Sequence, residues 1–581
     1  MSGRAAARLH VTSARQVGAL TVGRLLGELS AAAAEDPWSY YWLPAYAALA
    51  AVLLLALLPA RPARVWRGGL PPLFVAACTV ALAALRWPVL LGPQPYNVDE
   101  VQFGATALSL VGNPSLGMFL EAGTSGPLNY WYLAAPAAFG LQIDLASGRL
   151  MALACEAVMV AGCYGAMRNA YGDTIARLAT LGVVAMLGFV RSGDFVHPSS
   201  EHVPVALAGL GSWMLARAMR ARPQALPALM LGLGTVAGAM PFAKLQALPL
   251  ALTMVGFGAV VALRQGDRGA RVTPLAALLV GTSAFGVASA AYLVHRGRLS
   301  WFLDIYFRMN LLYVERGQSL GEALHALSNP LTTWTGLGEL RAWFAYSAAL
   351  LCVTIGRLAI GRMTDPAARP FALYAVALLG AGVVGVVTPG RPYPHYLLLL
   401  VPGLLLGAAG ALASRGATLT RLCLLPLPAL IFALGGLSPG PVVNAPSRPP
   451  VHPLLRRVRS ESRPDDRLTV WGWASWIHLQ SGLPQGTYYQ VPYWALAPNP
   501  RRRYFRALWL REFKRMRPDF FVDAVAGGEM WSDPEDRHES LPALRAWVLH
   551  AYEPFDEVDG RRVYRLRSRA DATATSPRSP R

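Results

Sequence analysis

The chain has 581 residues, of which 54% are hydrophobic and only 15% charged, against about 25% charged in ordinary soluble domains. A mean hydropathy of +0.35 describes a multi-pass membrane protein and excludes a disordered chain, a collagen-like chain and a disulfide scaffold. The formal net charge of +20 rests on 51 Arg and two Lys, Lys244 and Lys514. Most Arg residues lie between apolar segments and no nucleic-acid motif accompanies them, so positive-inside topology and anionic lipid explain the charge better than nucleic acid does.

Residues 1–36 form a polar segment without an apolar core, so no cleavable signal peptide is expected. A membrane span needs about 20 mostly apolar residues. Candidates lie at 39–60, 70–92, 148–167, 178–191, 202–217, 226–243, 246–263, 274–294, 341–360, 371–388, 394–413 and 419–437. Every second connection is rich in Arg: Arg61, Arg64 and Arg67; Arg168 and Arg177; Arg217, Arg220 and Arg222; Arg264, Arg268 and Arg271; Arg357, Arg362 and Arg369; Arg415 and Arg421. The positive-inside rule sends these to the cytoplasm. The opposite set is then extracytoplasmic: 93–147, 192–201, the joint near 244, 295–340, 389–393 and everything after 438. Parity puts the N-terminus on the same side.

Within outer loop 93–147, the pieces 101–111 and 128–140 are too short to span. They are expected to lie in the membrane interface with Tyr130, Trp131 and Tyr132. Loop 295–340 reads similarly, with Trp301, Phe302, Tyr306 and Phe307 beside Arg308. GLGTVAG (232–238) falls inside a span and reads as glycine for helix packing. Cys78, Cys155, Cys163, Cys352 and Cys423 all lie in apolar stretches and read as small buried hydrophobes.

A Pro-rich linker, 439–450, ends the membrane domain (37–440). Residues 451–568 are charged and alternate in period. RLTVWGW (467–473) and PDFFVDAV (518–525) read as strands, 501–517 as a basic helix, 541–552 as a second helix and 561–567 as a last strand. This alternation predicts a small extracytoplasmic α/β domain. The tail 569–581 reads as disordered. No internal repeat of the kind common in transporters is visible.

Four places carry chemistry. Asp99 and Glu100, in YNVDEVQFGATAL (96–108), follow a span directly; they read either as a solvated helix start or as a functional acid pair. RSGDFVHPSSEH (191–202) gathers Asp194, His197, Glu201 and His202 in one short outer connection, either a polar turn or a binding loop. Neither spacing fits a zinc motif, so no metal is assigned and no cofactor is expected, although a divalent cation stays compatible with the residues. Lys244, in a chain that otherwise uses Arg, is either a snorkelling helix-end cation or a point charge for a phosphate. TPGRPYPHY (388–396) holds Arg391, Tyr393, His395 and Tyr396 in a tight outer turn, either an interfacial belt or a phosphate clamp. No nucleotide-binding glycine loop is present, so a soluble nucleotide substrate has no visible site.

In their order along the chain these positions resemble the GT-C class of membrane glycosyltransferases, closest in look to the protein mannosyltransferase and aminoarabinose transferase group, glycosyltransferase family 39 in the broad sense. The matching features are Asp99-Glu100, GPLNYWYLAA (126–135), Arg149 heading the next span, Asp194 or Glu201, Lys244, and the turn at 392–396. Two departures stand out. Ser125 and Gly126 replace the basic residue usual before the Pro-Leu segment, and span 39–60 is an addition at the N-terminus. The resemblance covers about residues 70–440 and implies an all-α membrane domain of about 12 helices with the outer α/β domain appended. It implies inverting sugar transfer from a polyprenyl-phosphate donor to a hydroxyl of a glycan, lipid or protein acceptor, at the outer face of what the composition suggests is a bacterial plasma membrane. Asp99, with Glu100, would be catalytic. Asp194, Glu201 and His197 would bind acceptor or donor sugar, and Lys244, Arg391, His395 and Tyr393 the phosphate. The alternative is a transporter or flippase for a lipid-linked solute.

Overall fold

The computed structural model describes residues 42–58, 72–91, 97–113, 124–190, 192–264, 271–314, 319–334, 337–363, 365–366, 368–413, 415–435, 451–488, 492–525 and 533–567. The expectations for residues 1–36, the linker 439–450 and the tail 569–581 lie outside the described residues. A helix stands at each of the twelve expected places. In chain order they are Trp42–Leu57, Pro72–Leu91, Leu145–Tyr171, Asp173–Phe189, His202–Ala218, Leu226–Ala239, Leu248–Arg264, Val272–His295, Gly338–Ala359, Ala368–Val387, Pro394–Leu400 running into Val401–Gly410, and Ala417–Leu424 followed by Pro426–Gly435. Among the described residues, seven helical segments are long and apolar enough to cross a membrane by length and composition. Of the others, Pro72–Leu91 has 20 residues with its apolar stretch at Pro72–Trp87, while 173–189 and 202–218 have 17 residues each, about 25 Å of helix against a hydrocarbon core of about 30 Å.

Small residues set how closely these helices approach. A Cβ on Gly238 would lie 2.1 Å from the Thr282 carbonyl oxygen, and one on Gly234 2.3 Å from that of Leu278. From the other side, a Cβ on Gly281 would lie 2.2 Å from the Leu231 oxygen. The 226–239 and 272–295 helices thus meet backbone to backbone, as the GLGTVAG pattern predicts. Gly162 and Gly209 do the same for the 145–171 and 202–218 helices. Among the described residues all five cysteines are free. Cys78 and Cys163 are buried, but Cys155 and Cys423 are only partly so and Cys352 is exposed, so the expectation of five buried thiols holds for two.

The C-terminal domain is a four-stranded sheet in the order β1-β2-β4-β3, with β1 Leu468–Trp471, β2 Phe520–Asp523, β3 Tyr552–Val558 and β4 Arg561–Leu566. β1 and β2 pair in parallel and the other pairs are antiparallel. Helices Arg502–Met516 and Pro542–Ala551 fill the two helical places predicted. β3 escapes the sequence reading for a physical reason. It is an edge strand of acids with Pro554 at its middle, where the ladder shifts register, and only edges tolerate that composition.

Two segments expected at the membrane interface differ from expectation. The Val98–Gly112 helix does not lie open in the interface: residues 100–107 are buried, with Leu479 of the C-terminal domain over Gly104 and Pro484 over Gly112. The Ser109 hydroxyl accepts the Gln485 N–H at 2.9 Å. The helical run from Leu299 to Val314 includes a π-helical turn, 303–308. It sends Ile305 and Met309 into one core with Trp471, Trp494 and Phe505. Ends of both outer loops therefore serve as the seat of the C-terminal domain. In contrast, the 128–139 helical stretch leaves Phe139 and Trp131 exposed, as an interfacial piece would.

Gly238→Leu forces a side chain into the Thr282 backbone, which cannot retreat. A loss of about 3 kcal/mol is expected, read as a lower unfolding temperature of the detergent-solubilised protein. Gly256→Ala, with open space around its Cβ position, should leave that temperature unchanged or slightly raised.

Candidate functional site

The site starts from a helix cap. The Asn97 side chain accepts the N–H groups of Asp99 and Glu100 at 2.8 and 3.4 Å, filling donors that the first turn leaves unmet. Consecutive helical residues point in different directions, and the two acids part here. Glu100 turns inward, where both carboxylate oxygens take the Arg149 guanidinium, at 2.6 Å (Nε to Oε1) and 3.1 Å (Nη2 to Oε2). Arg149 also donates to the Val89 carbonyl at 3.0 Å. This pair is buried and ties the 98–112 helix to the 145–171 helix. Asp99 is partly buried, and its carboxylate accepts no hydrogen bond among the described residues. It is the open acid of the pair. Burial pushes its pKa above the ordinary value; His395 and Lys244 pull it back in part, and Glu201 and Asp194 add to the rise. Three segments far apart in sequence thus deliver four charges to one carboxyl.

Lys244 occupies a break between helices. It is extended (φ −154°, ψ 126°) between the 3-10 turns Met240–Phe242 and Leu245–Ala247. The backbone groups the break leaves unpaired are satisfied from the 93–147 and 295–340 connections. The Ala243 carbonyl accepts Gly126 N–H at 2.9 Å and Asn129 Nδ2 at 2.7 Å, and the Pro241 carbonyl accepts the Tyr306 hydroxyl at 2.6 Å. Gly126 has to be glycine, since a Cβ would lie 2.1 Å from the Phe242 oxygen. The Lys244 ammonium donates to Ser200 Oγ at 2.7 Å and Thr124 Oγ1 at 3.4 Å. It lies 3.5 Å from Glu201 Oε1 and 5.4 Å above the Tyr396 ring. At 4% exposure it points inward, which decides against the snorkelling reading.

The 192–201 connection supplies the acids. Glu201 is fully buried and accepts the Ser200 hydroxyl at 3.1 Å. Burial alone would raise its pKa, but Lys244 and His395 outweigh this and hold the carboxyl below its usual range. Asp194 behaves alike: burial opposes ionisation, and the His395 hydrogen bond and charge, with His197, overcome it. His395 Nδ1 lies 2.9 Å from Asp194 Oδ1 and its Nε2 lies 4.0 Å from Glu201 Oε2, so one imidazole bridges the two acids. Tyr393 stacks on that ring and Tyr396 meets it edge-on. His197 is buried behind Asp194, its Nε2 4.0 Å away; burial drives its pKa down. Arg391 lies at the rim, over the Tyr313 ring.

The structure therefore brings Asp99, Asp194, Glu201, Lys244 and His395 together, with Tyr393 and Arg391 at the edge and Glu100 and His197 behind. Sequence reasoning missed Thr124, Ser200, Asn129 and Tyr306, neutral polar residues whose only signal was their place in outer loops. It also missed a group in the C-terminal domain, where Asp523, His538 and Glu539 bring metal-ligand-type atoms within 4.8 Å of one another. Asp523 there is already engaged by the Val525 and His538 N–H groups and by the His538 ring, and Glu539 by Arg562, which makes it a bracing cluster for the end of β2.

No family model and no curated protein matches the chain. Among solved structures it is similar to ArnT from Cupriavidus metallidurans bound to undecaprenyl phosphate, at 15% identity and a TM-score of 0.54, covering 84% of this chain and 97% of that one. It is also similar to the oligosaccharyltransferase from Archaeoglobus fulgidus in its apo form, at 11% identity and a TM-score of 0.41, covering 84% of this chain and 73% of that one. The first likeness establishes the GT-C glycosyltransferase fold; the second, at its score, adds nothing to that.

Arg149→Met strands the buried Glu100 carboxylate and should cost about 3–5 kcal/mol. A thermal unfolding series in detergent checks this. Arg149→Met combined with Glu100→Leu should recover most of the loss.

Proposed function

We propose that this protein is an inverting glycosyltransferase that moves a sugar from a polyprenyl-phosphate donor to an acceptor hydroxyl at the extracytoplasmic face of a bacterial plasma membrane. The observation that carries the reading is the Asp99 carboxyl, which accepts no hydrogen bond among the described residues and lies under the electrostatic reach of a buried ammonium, an imidazole and two further acids. A base facing cations across a site has the parts that displacement at an anomeric carbon with a phosphate leaving group requires. The GT-C fold supports it, and the related ArnT structure holds undecaprenyl phosphate.

In the proposed step the acceptor oxygen attacks the anomeric carbon and its proton passes to Asp99. The bond from that carbon to the phosphate oxygen breaks on the opposite face, and the electron pair leaves with the polyprenyl phosphate. Lys244 stabilises the departing anion as a point charge, with His395, Arg391 and Tyr393 around it. Asp194 and Glu201 take sugar hydroxyls, while His197 and Glu100 hold them and Asp99 in place from behind. The twelve helices form the membrane domain, with the C-terminal domain outside. A flippase is the weaker reading, because these acids stand at helix starts and in connections rather than in mid-helix breaks.

The test is a lipid-product assay on membranes with and without the protein. Its removal should leave a polyprenyl-phosphate sugar accumulating, and its return should release polyprenyl phosphate. No change in any such lipid overturns the reading. Asp99→Asn should lower transfer by about 10²–10⁴ at normal folded yield. Because the base works deprotonated, the rate should rise with pH along a limb set above the ordinary aspartate range, and Asp99→Asn should lose that limb. Lys244→Ala should weaken donor use strongly and Lys244→Arg restore it in part, measured as donor KM and kcat.

A further inference from the structure

A second charged pair is made of groups not used above. Arg86, on the Pro72–Leu91 helix, and Glu156, on the Leu145–Tyr171 helix, are both fully buried and meet at 2.5 Å (Nη1 to Oε2) and 3.2 Å (Nη2 to Oε1). Two charges this deep in apolar surroundings add little to stability compared with well-packed hydrocarbon, so their geometry calls for another explanation. Their remaining contacts supply one. Arg86 Nε donates to the Leu187 carbonyl at 2.6 Å, one of the carbonyls left unpaired at the C-terminus of the Asp173–Phe189 helix. Leu85 packs over Gly188, where a Cβ would lie 2.4 Å from its methyl group. Glu156 Oε1 lies 3.7 Å from His202 Nε2, at the start of the His202–Ala218 helix. His202 Nδ1 accepts the Ser199 N–H at 3.1 Å, which leaves the proton of the neutral ring on Nε2, facing Glu156.

The two anchor points, Leu187 and His202, are the two stems of the connection that carries Asp194 and Glu201. We propose that the Arg86–Glu156 pair is a membrane-buried clamp that positions this connection, so that Arg86, Glu156 and His202 are positioning residues for the site. The inference rests on the reading of the site as that of a lipid-linked glycosyltransferase only for its kinetic arm. The clamp holds one carbonyl by a hydrogen bond and sets one imidazole 3.7 Å from its carboxylate, both from one pair of helices. Asp194 and Glu201 are thereby fixed relative to the 145–171 helix, which through Arg149 also fixes Glu100 and, next to it, Asp99. Both acidic segments take their register from one helix.

The test uses the full-length protein in detergent. Arg86→Gln should speed amide exchange across 188–203 by about tenfold while leaving peptides of the C-terminal domain unchanged. Because a stranded Glu156 could unfold the protein, the double variant Arg86→Met with Glu156→Leu removes both charges and keeps the packing. It should fold at normal yield and still show the faster exchange. In the transfer assay both variants should lose about 10²-fold in kcat, with donor KM little changed, and Arg86→Lys should recover part of it. Unchanged exchange at 188–203 in the folded double variant overturns the clamp. So does full kcat in that variant. If the connection loosens as stated but the wild-type protein transfers nothing from any polyprenyl-phosphate sugar, the clamp stands and the functional reading falls.

Discussion

A charge placed inside an apolar body must have its partner built beside it, and this protein is organised around that constraint. Three buried ion pairs lead from the bundle interior to the site: Arg86 with Glu156, Arg149 with Glu100, and Lys244 with Glu201. Each joins segments that are distant in sequence. Each also spends its spare hydrogen-bonding capacity on backbone or hydroxyl groups at helix ends, where carbonyls and N–H groups are otherwise unmet. The pairs therefore do two things at once. They make buried charge tolerable, and they fix the ends of the helices from which the site is assembled.

Helix ends matter because the charged groups of the site stand on them. Asp99 sits in a first turn, Asp194 in a one-turn helix, Glu201 just before a helix, Lys244 between two 3-10 turns and His395 in a third. Every one of these places lies at or beside a helix end, where backbone groups lack helical partners, and in an apolar setting such groups must find partners within the protein. The Gly126–Asn129 segment and Tyr306 meet that need around Lys244. The 93–147 and 295–340 connections thus contribute structure to the site. The C-terminal domain extends the same logic, covering the 98–112 helix and taking part of the 299–314 segment into its own core.

Much of the site was legible in the residues. Asp99, Asp194, Glu201, Lys244 and His395 stand out as ionisable groups beside apolar runs, where charge is costly and so rarely incidental. Their grouping was not legible, because it depends on which face of each helix end turns inward. Asp99 and Glu100 show this: identical in kind and adjacent in sequence, they differ by one helical step, and only one meets Arg149. Thr124, Ser200 and Asn129 were silent for the opposite reason. A neutral polar residue in an outer loop is ordinary, and nothing local marks the one that receives an ammonium.

Composition and periodicity by themselves determined the membrane class, the twelve helix positions and the appended α/β domain. These follow from a simple balance of apolar length against charge, which is a local property of the chain. That the 226–239 helix packs closely on a neighbour was also local, since glycines along a span invite close approach; that the neighbour is the 272–295 helix was not. The tertiary structure alone decided which helices are long enough to cross, that the 98–112 helix is roofed by the C-terminal domain, that β3 closes the sheet edge, and that Lys244 faces Glu201 rather than lipid. Each of those outcomes is set by a partner supplied from elsewhere in the chain, and the energy of a buried charge or an unpaired carbonyl depends on that partner far more than on its own neighbours in sequence.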